Sequence, residues 1–402
     1  MAYTPLTSLD VSGARLAVRA DLNVPLTHEG VGDATRIARF ARGMKPLLDK
    51  GARVVVLSHL GRPDGEMTPA LTTERLVPAL SQALGRPVKF NDTCAGPTVE
   101  RAGENLAPGE VMLCENLRFE RGEELNDPNL GAQLAQLGDI YVNDAFSCCH
   151  RAHASTTSAV LAAKRVAVGP LFVEEMAALE GALTDPQSPS VAVIGGGSVQ
   201  PRLGLLKRLA PRIDTLLLGG AIANAFLFAR GYSIGRSRVE PEFAEEVLEI
   251  AALAEIAECR LMVPEDFVVA GFQRAGINHY PVPLGGVRAN RRILDIGPNT
   301  VETYQKVLRK ARTILWNGPM GTYETAPFDA GTKALAQTVA EQTRSGLAVS
   351  VAGGGDTLVA LNKTGVAHDF TYVSTAGGAF LEWLEGREMP GLDALEQKAH
   401  AA

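Results

Sequence analysis

Residues 350–357 read S-V-A-G-G-G-D-T, and the elements on either side follow from what these eight residues can form. Residues 347–351 are apolar and β-branched enough for a buried strand. Three glycines then remove every side chain, and Asp356 and Thr357 open an apolar stretch with helical spacing. The pattern predicts a strand, a bare loop and a helix start. Such a loop lets an anion reach main-chain N–H groups while the helix N-terminus adds partial positive charge, so phosphate is the natural guest. A carboxylate at Asp356 beside phosphate needs a bridging cation, and Mg2+ is usually held by one or two carboxylates plus substrate phosphates. The competing reading is a tight turn with Asp356 as helix N-cap.

The same grammar runs through the second half of the chain. Residues 191–194 lead into Gly195-Gly196-Gly197-Ser198, with Pro201 suited to a first helical position and Arg202 in the opening turn. Residues 216–218 lead to Gly219-Gly220, and residues 314–316 lead to Asn317-Gly318-Pro319-Met320-Gly321 and then Glu324. Glu324 is either a partner for ribose hydroxyls or an exposed loop carboxylate. Neither GxxxxGK[ST] nor a clean GxGxxG is present, which removes the main support for a Walker-type NTPase or an ordinary dinucleotide dehydrogenase.

In the first half, apolar runs end in polar clusters. Residues 16–18 precede Arg19, Asp21 and Asn23; residues 54–57 precede His59 and Arg62; residues 111–113 precede Glu115, Asn116 and Arg118; residues 140–142 precede Asn143, Asp144, His150, Arg151 and His153. Helical spacing over 35–48 and 73–84 lies between them, giving βαβ alternation and a mostly parallel sheet. Polar clusters at the carboxyl ends of such strands face one ligand crevice. Arg36, His59, Arg62, Arg118 and Arg151 can therefore form a cationic pocket, with Asp21 and Asn23 placed for hydroxyls. A small, multiply anionic, hydroxylated ligand suits it, because arginine's forked donors match phosphate and carboxylate oxygens in pairs. Singly, each arginine also reads as a solvated or ion-paired side chain. Cys149, His150 and His153 lack a second ligand pair at metal spacing.

A strong helical pattern over 171–183 is followed by turn formers at 184–190, where the alternation restarts. Two domains are expected, since 402 residues exceed what one core usually serves. The expected divisions are residues 1–170, a hinge helix at 171–185, residues 186–385, and a tail at 386–402 packing back on the first domain. The fold class expected is α/β, two Rossmann-like three-layer domains with parallel sheets. A net charge of -6 argues against a nucleic-acid surface. The start M-A-Y-T-P-L-T-S-L-D shows no signal-peptide pattern, and the uncharged stretch 215–229 is too short and interrupted to span a membrane. Five cysteines, without metal or redox spacing, point to a reducing cytosol.

The wording then becomes specific. R-A-D-L-N-V-P at 19–25, S-H-L-G-R-P at 58–63, E-N-L-R-F at 115–119, N-D-A-F-S-C-C-H-R-A-H-A-S at 143–155, I-L-D-I-G-P at 293–298, W-N-G-P-M-G at 316–321, G-G-G-D-T at 353–357 and T-A-G-G at 375–378 together resemble phosphoglycerate kinase. The match runs in order over nearly the whole chain. It implies a monomeric, cytoplasmic two-domain kinase that binds 3-phosphoglycerate or 1,3-bisphosphoglycerate on one domain and Mg2+ with ADP or ATP on the other, with hinge closure uniting them. By motif, the resemblance gives Asp21, Asn23, Arg36, His59, Arg62, Arg118 and Arg151 to the glycerate. It gives Arg202, Asn317, Glu324, Gly354, Gly355, Asp356 and Thr357 to the nucleotide, with Asp356 on the metal side. Arg36, Arg202 and Gly378 take the catalytic positions.

One loop departs from the family. Where the family has G-G-A-K and a second lysine four positions on, this chain has Gly195-Gly196-Gly197-Ser198 and Arg202. One ammonium is lost and the other becomes a guanidinium; a missing charge at a phosphoryl transition state costs about three to five decades in rate, by analogy with an arginine finger. Lys207 and Arg208 are candidates to swing in. Besides an active kinase, two readings stand: a kinase-derived, catalytically weak protein binding glycerate phosphates or nucleotide, and, remotely, a nicotinamide-dependent dehydrogenase.

Overall fold

Runs such as Val54-Val55-Val56 are apolar at every position, which suits a strand covered on both faces. In the structure, a computed structural model that describes residues 3–28 and 30–400, such runs form two six-stranded sheets, all parallel. The expected α/β class with parallel sheets holds. The chain divides into two compact units, one drawn from residues 1–176 with 388–402 and the other from residues 177–387. The helix Pro170–Leu183 carries the chain from the first unit into the second.

In the first unit the strand order is Val88–Asn91, Val111–Cys114, Arg53–Leu57, Arg15–Arg19, Ile140–Asn143, Val166–Val168. Leu16, Val18, Val54 and Val56 pack with Ile37, Phe40 and Met44 of the helix Thr35–Asp49 and with Leu80 and Leu84 of the helix Val77–Leu84. Val55 points to the opposite face, where its Cγ2 would lie 3.2 Å from a Cβ at Gly103 of the helix Pro97–Glu104. The helix expected over 73–84 begins as a 3-10 turn, Thr73–Leu76, and becomes α-helical at Val77–Leu84 with Pro78 in its first turn, where no N–H is needed. The helix Pro390–His400 belongs to this unit; Gly391 N donates to Cys149 O at 2.9 Å, and a Cβ at Gly391 would fall 2.8 Å from Cys149 Cα.

In the second unit the order is Arg260–Met262, Thr215–Leu218, Ser190–Ile194, Thr313–Asn317, Val349–Ala352, Tyr372–Val373. The chain leaves the central strand Ser190–Ile194 in one direction and returns on its other side at Thr313–Asn317. Their carboxyl ends make the switch point at which open α/β sheets bind ligands. Sequence periodicity did not indicate an added antiparallel sheet of His279–Pro283, Asp266–Ala270 and Arg292–Ile296, which packs its own small core around Phe267, Val269 and Val282. The buried Trp316 donates from Nε1 to Gly318 O at 2.8 Å and so anchors the loop that follows its strand. Among the described residues no helix is long and apolar enough to cross a membrane.

Candidate functional site

In the first unit the loops after Arg15–Arg19, Arg53–Leu57, Val111–Cys114 and Ile140–Asn143 carry the polar clusters, and side chains bind them to one another. Arg36 Nη1 pairs with Asp21 Oδ2, which also accepts from Ser147 Oγ. Asn23 Oδ1 accepts from Gly61 N at 3.0 Å, and Arg118 Nη1 donates to Gly61 O at 2.7 Å while its Nε lies 3.0 Å from Glu124 Oε1. Arg62 and Arg151 are exposed, and their side chains make no hydrogen bond or ion pair among the described residues. Of the seven positions singled out in this half, Asp21 is thus bonded to Arg36, Asn23 and Arg118 share Gly61, and Arg62 and Arg151 extend into solvent.

Behind His59 stands a strand-end residue that was given no ligand role from the sequence. Arg19 is fully buried; its Nε donates to Ser155 Oγ at 2.8 Å, and its Nη2 lies 3.1 Å from His59 Nδ1 and 4.0 Å from the buried Glu123 Oε1. Glu123 in turn accepts from Ser155 N at 2.9 Å and Ser155 Oγ at 2.6 Å. Burial first, and the Arg19 charge next, hold the His59 imidazole well below its ordinary pKa, so it is neutral at pH 7. Burial opposes ionisation of Asp21, but the Arg36 charge and the Ser147 hydrogen bond outweigh it and keep the carboxyl below the usual range. Asp21, His59 and Cys148 bring ligand atoms within 4.8 Å of one another. The guanidiniums of Arg19 and Arg36 contact this group, so it favours an anion over a metal ion.

In the second unit the glycines are required by close approach. Gly318 has φ +91°, and a Cβ there would lie 2.2 Å from Gly195 O; Gly354 has φ +100°, and a Cβ there would meet Asn317 Nδ2 at 2.7 Å. Asn317 Nδ2 donates to Gly353 O at 2.8 Å and Gly318 N donates to Thr357 Oγ1 at 2.7 Å, tying the loops at 317–321 and 353–357 together. Arg202 Nε donates to Asn317 Oδ1 at 3.3 Å and Nη1 to Ser198 O at 3.0 Å. Helices open at Gly220, Gly355 and Gly378, each beyond a parallel strand of the same sheet. The N-cap reading of Asp356 is corrected: Gly354 occupies that position, no side chain caps the helix, and Asp356 lies exposed in its first turn. The helix after Ser198 also starts later than expected, at Leu203, because Gln200–Arg202 with Pro201 forms a 3-10 turn.

These loops wall a cleft of about 580 Å³ lined by Gly196, Gly197, Gly220, Tyr323, Glu324 and Asp356, among others. Burial first, then the Asp356 and Glu324 carboxylates, raise the Tyr323 phenol pKa. With no cap bond to make, Asp356 lines the cleft as a carboxylate that suits a divalent cation held jointly with phosphate. Arg236, Arg238 and Arg292 also line the cleft. Sequence reasoning passed over them, since their segment shows neither a glycine run nor a strand-end cluster. The two cations suggested as substitutes near Ser198 are engaged elsewhere: Lys207 Nζ lies 3.3 Å from Glu249 Oε2, and Arg208 stands 5.7 Å from the Trp383 ring centroid and donates to Trp383 O at 3.1 Å.

Comparison with known proteins bears on this arrangement. The family model described as phosphoglycerate kinase matches residues 6–387. A protein named phosphoglycerate kinase from Rhodospirillum centenum is 48% identical over 395 residues, covering 98% of this chain and all of that one. Another so named, from Ruegeria sp., is 46% identical over 396 residues, again covering 98% of this chain and all of the relative. Among solved structures, phosphoglycerate kinase from Coxiella burnetii superposes with a TM-score of 0.91 at 39% identity, covering 99% of this chain and all of that one.

Proposed function

The chain belongs to the phosphoglycerate kinase family and has that family's function; on that premise we propose that it moves the acyl phosphate of 1,3-bisphosphoglycerate reversibly to ADP, giving 3-phosphoglycerate and ATP. The weakly catalytic binding protein is not favoured, because the match extends end to end through both halves. The observation that carries the nucleotide side is the convergence of Gly196, Gly197, Gly220, Glu324 and Asp356 on one cleft at the switch point of the second sheet. The helix starts there suit phosphates, Asp356 would hold Mg2+ with them, and the ion would neutralise phosphate charge. Glu324 would accept from ribose hydroxyls, and Gly354, Gly355, Thr357 and Asn317 shape the loops around the phosphates.

On the first unit, Arg62 and Arg151 keep free guanidiniums for a phosphate, while the ionised Asp21, Asn23 and the neutral His59 suit hydroxyl and carboxylate oxygens. The acceptor in the ATP-consuming direction is a carboxylate, already ionised at pH 7, so attack on the terminal phosphate needs no general base. Rate must come from in-line positioning and from positive charge about the transferring group, supplied by Arg36 on one side and by Arg202 and the Gly378 helix start on the other. We further infer a monomer at work in the cytoplasm: each ligand site uses residues of one unit, and all five cysteines are free and buried, as a reducing compartment allows. A coupled assay on the purified chain beside Ser198→Lys with Arg202→Lys tests the reading. Turnover by the natural chain is expected; its absence, with activity restored by the double change, overturns it.

A further inference from the structure

A phosphoryl site needs positive charge, yet Ser198 brings none to the Gly196–Gly197 turn and makes no side-chain hydrogen bond among the described residues. Arg202 is close to the turn but largely engaged. A Cβ at Gly196 would meet its Nη2 at 2.7 Å, while Nε and Nη1 are spent on Asn317 Oδ1 and Ser198 O. The same turn also meets Arg238, whose Nη1 lies 3.5 Å from where a Gly197 Cβ would stand. The Arg238 side chain is exposed, lines the same cleft as Asp356, and makes no hydrogen bond or ion pair among the described residues.

Its backbone is nevertheless fixed against the loop. Glu240 accepts from Val199 N and Gln200 N, both at 3.1 Å, and Asn224 Nδ2 donates to Arg238 O at 3.1 Å. A free guanidinium held over a bare glycine turn is a forked donor for phosphate oxygens. Resting on the kinase reading above, we propose that Arg238 binds the terminal phosphates of the nucleotide at the Gly196–Gly197 turn and supplies the positive charge that Ser198 does not.

The test is calorimetric titration with Mg-ATP and with AMP of the natural chain, Arg238→Gln, Arg238→Lys, Lys207→Ala and Arg238→Gln combined with Ser198→Lys. Arg238→Gln is expected to weaken Mg-ATP about tenfold to a hundredfold, as the loss of one charge-assisted contact gives, and AMP by less than about twofold. Arg238→Lys recovers most of the loss, Ser198→Lys restores affinity in the Arg238→Gln chain, and Lys207→Ala changes nothing. Unchanged Mg-ATP affinity in Arg238→Gln, or equal weakening of ATP and AMP as a purely structural role would give, overturns the proposal and leaves the kinase reading intact. A natural chain that binds Mg-ATP with this Arg238 dependence but does not turn over removes the kinase reading and leaves the phosphate site standing. A natural chain that binds no ATP overturns both.

Discussion

Arg19 has no exposed surface, and a buried charge persists only where it is paired and hydrogen-bonded. Glu123, Ser155 and the Ala20 carbonyl meet that need, and the consequence reaches the surface, since the same guanidinium holds His59 in place and neutral. Asp356 is the opposite case, an exposed carboxylate with no capping bond, whose value lies in what it can still bind. Asp356→Asn is expected to weaken Mg-ATP about tenfold to a hundredfold. In EDTA the same change leaves ATP affinity equal or slightly tighter, because a negative charge near phosphate is gone. Calorimetry with and without Mg2+ measures both, and equal losses in the two buffers would refute a metal-side role. Both extremes were visible as letters: R-A-D and G-G-G-D-T stand at strand ends. That one arginine is buried and the other acid exposed was not, because burial depends on what packs over the loop.

At the level of elements, a strand running into a loop and then a helix start is what puts function at one end of each sheet. The helix Pro170–Leu183 shows how such a start is held. Asp144 Oδ1 accepts from Leu171 N at 2.8 Å and Phe172 N at 3.2 Å, while its buried Oδ2 has no hydrogen-bond partner among the described residues. Burial raises this carboxyl to about 7 despite the two N–H groups. The folded chain therefore keeps a proton that the unfolded chain releases near its ordinary value of about 4. Between those values the folded state binds more protons, so stability falls as pH rises from about 4 to about 7 and levels off above. Asp144→Asn keeps the accepting oxygen and puts an uncharged amide at Oδ2. The variant should lose that decline and gain on the order of a few kcal/mol over the natural chain at pH 8, with little difference at pH 4. Urea midpoints at the two pH values decide it; a parallel decline in the variant would place the titration elsewhere. Strand and helix identities here were legible from apolar runs and turn residues, but the start at Val77 and the three-stranded antiparallel sheet were not. A proline allows a helix start without specifying the turn before it, and the strands from Arg260–Met262 to Arg292–Ile296 follow one another without the intervening helices that mark βαβ alternation.

For the molecule as a whole, the proposed transfer, with a glycerate on one unit and a nucleotide on the other, would need the two ligands to be brought together when both are bound. Small-angle scattering is expected to give a smaller radius of gyration only with 3-phosphoglycerate and Mg-ATP together; the same value with one ligand, both or neither would count against closure. The order of amino acids by itself determined the βαβ alternation, the positions of glycines that let backbone meet backbone, and the ionisable groups at strand ends. Those features arise from near-neighbour sterics and periodicity, which any short window contains. Only the tertiary structure decided which charges share a loop. Arg238 stands over Gly197 because Glu240 is bonded to Val199 across 41 residues of chain, and Lys207, much nearer in sequence, is held away by Glu249. Contacts of that kind are set by how helices and sheets pack, and packing leaves no period in the sequence to read.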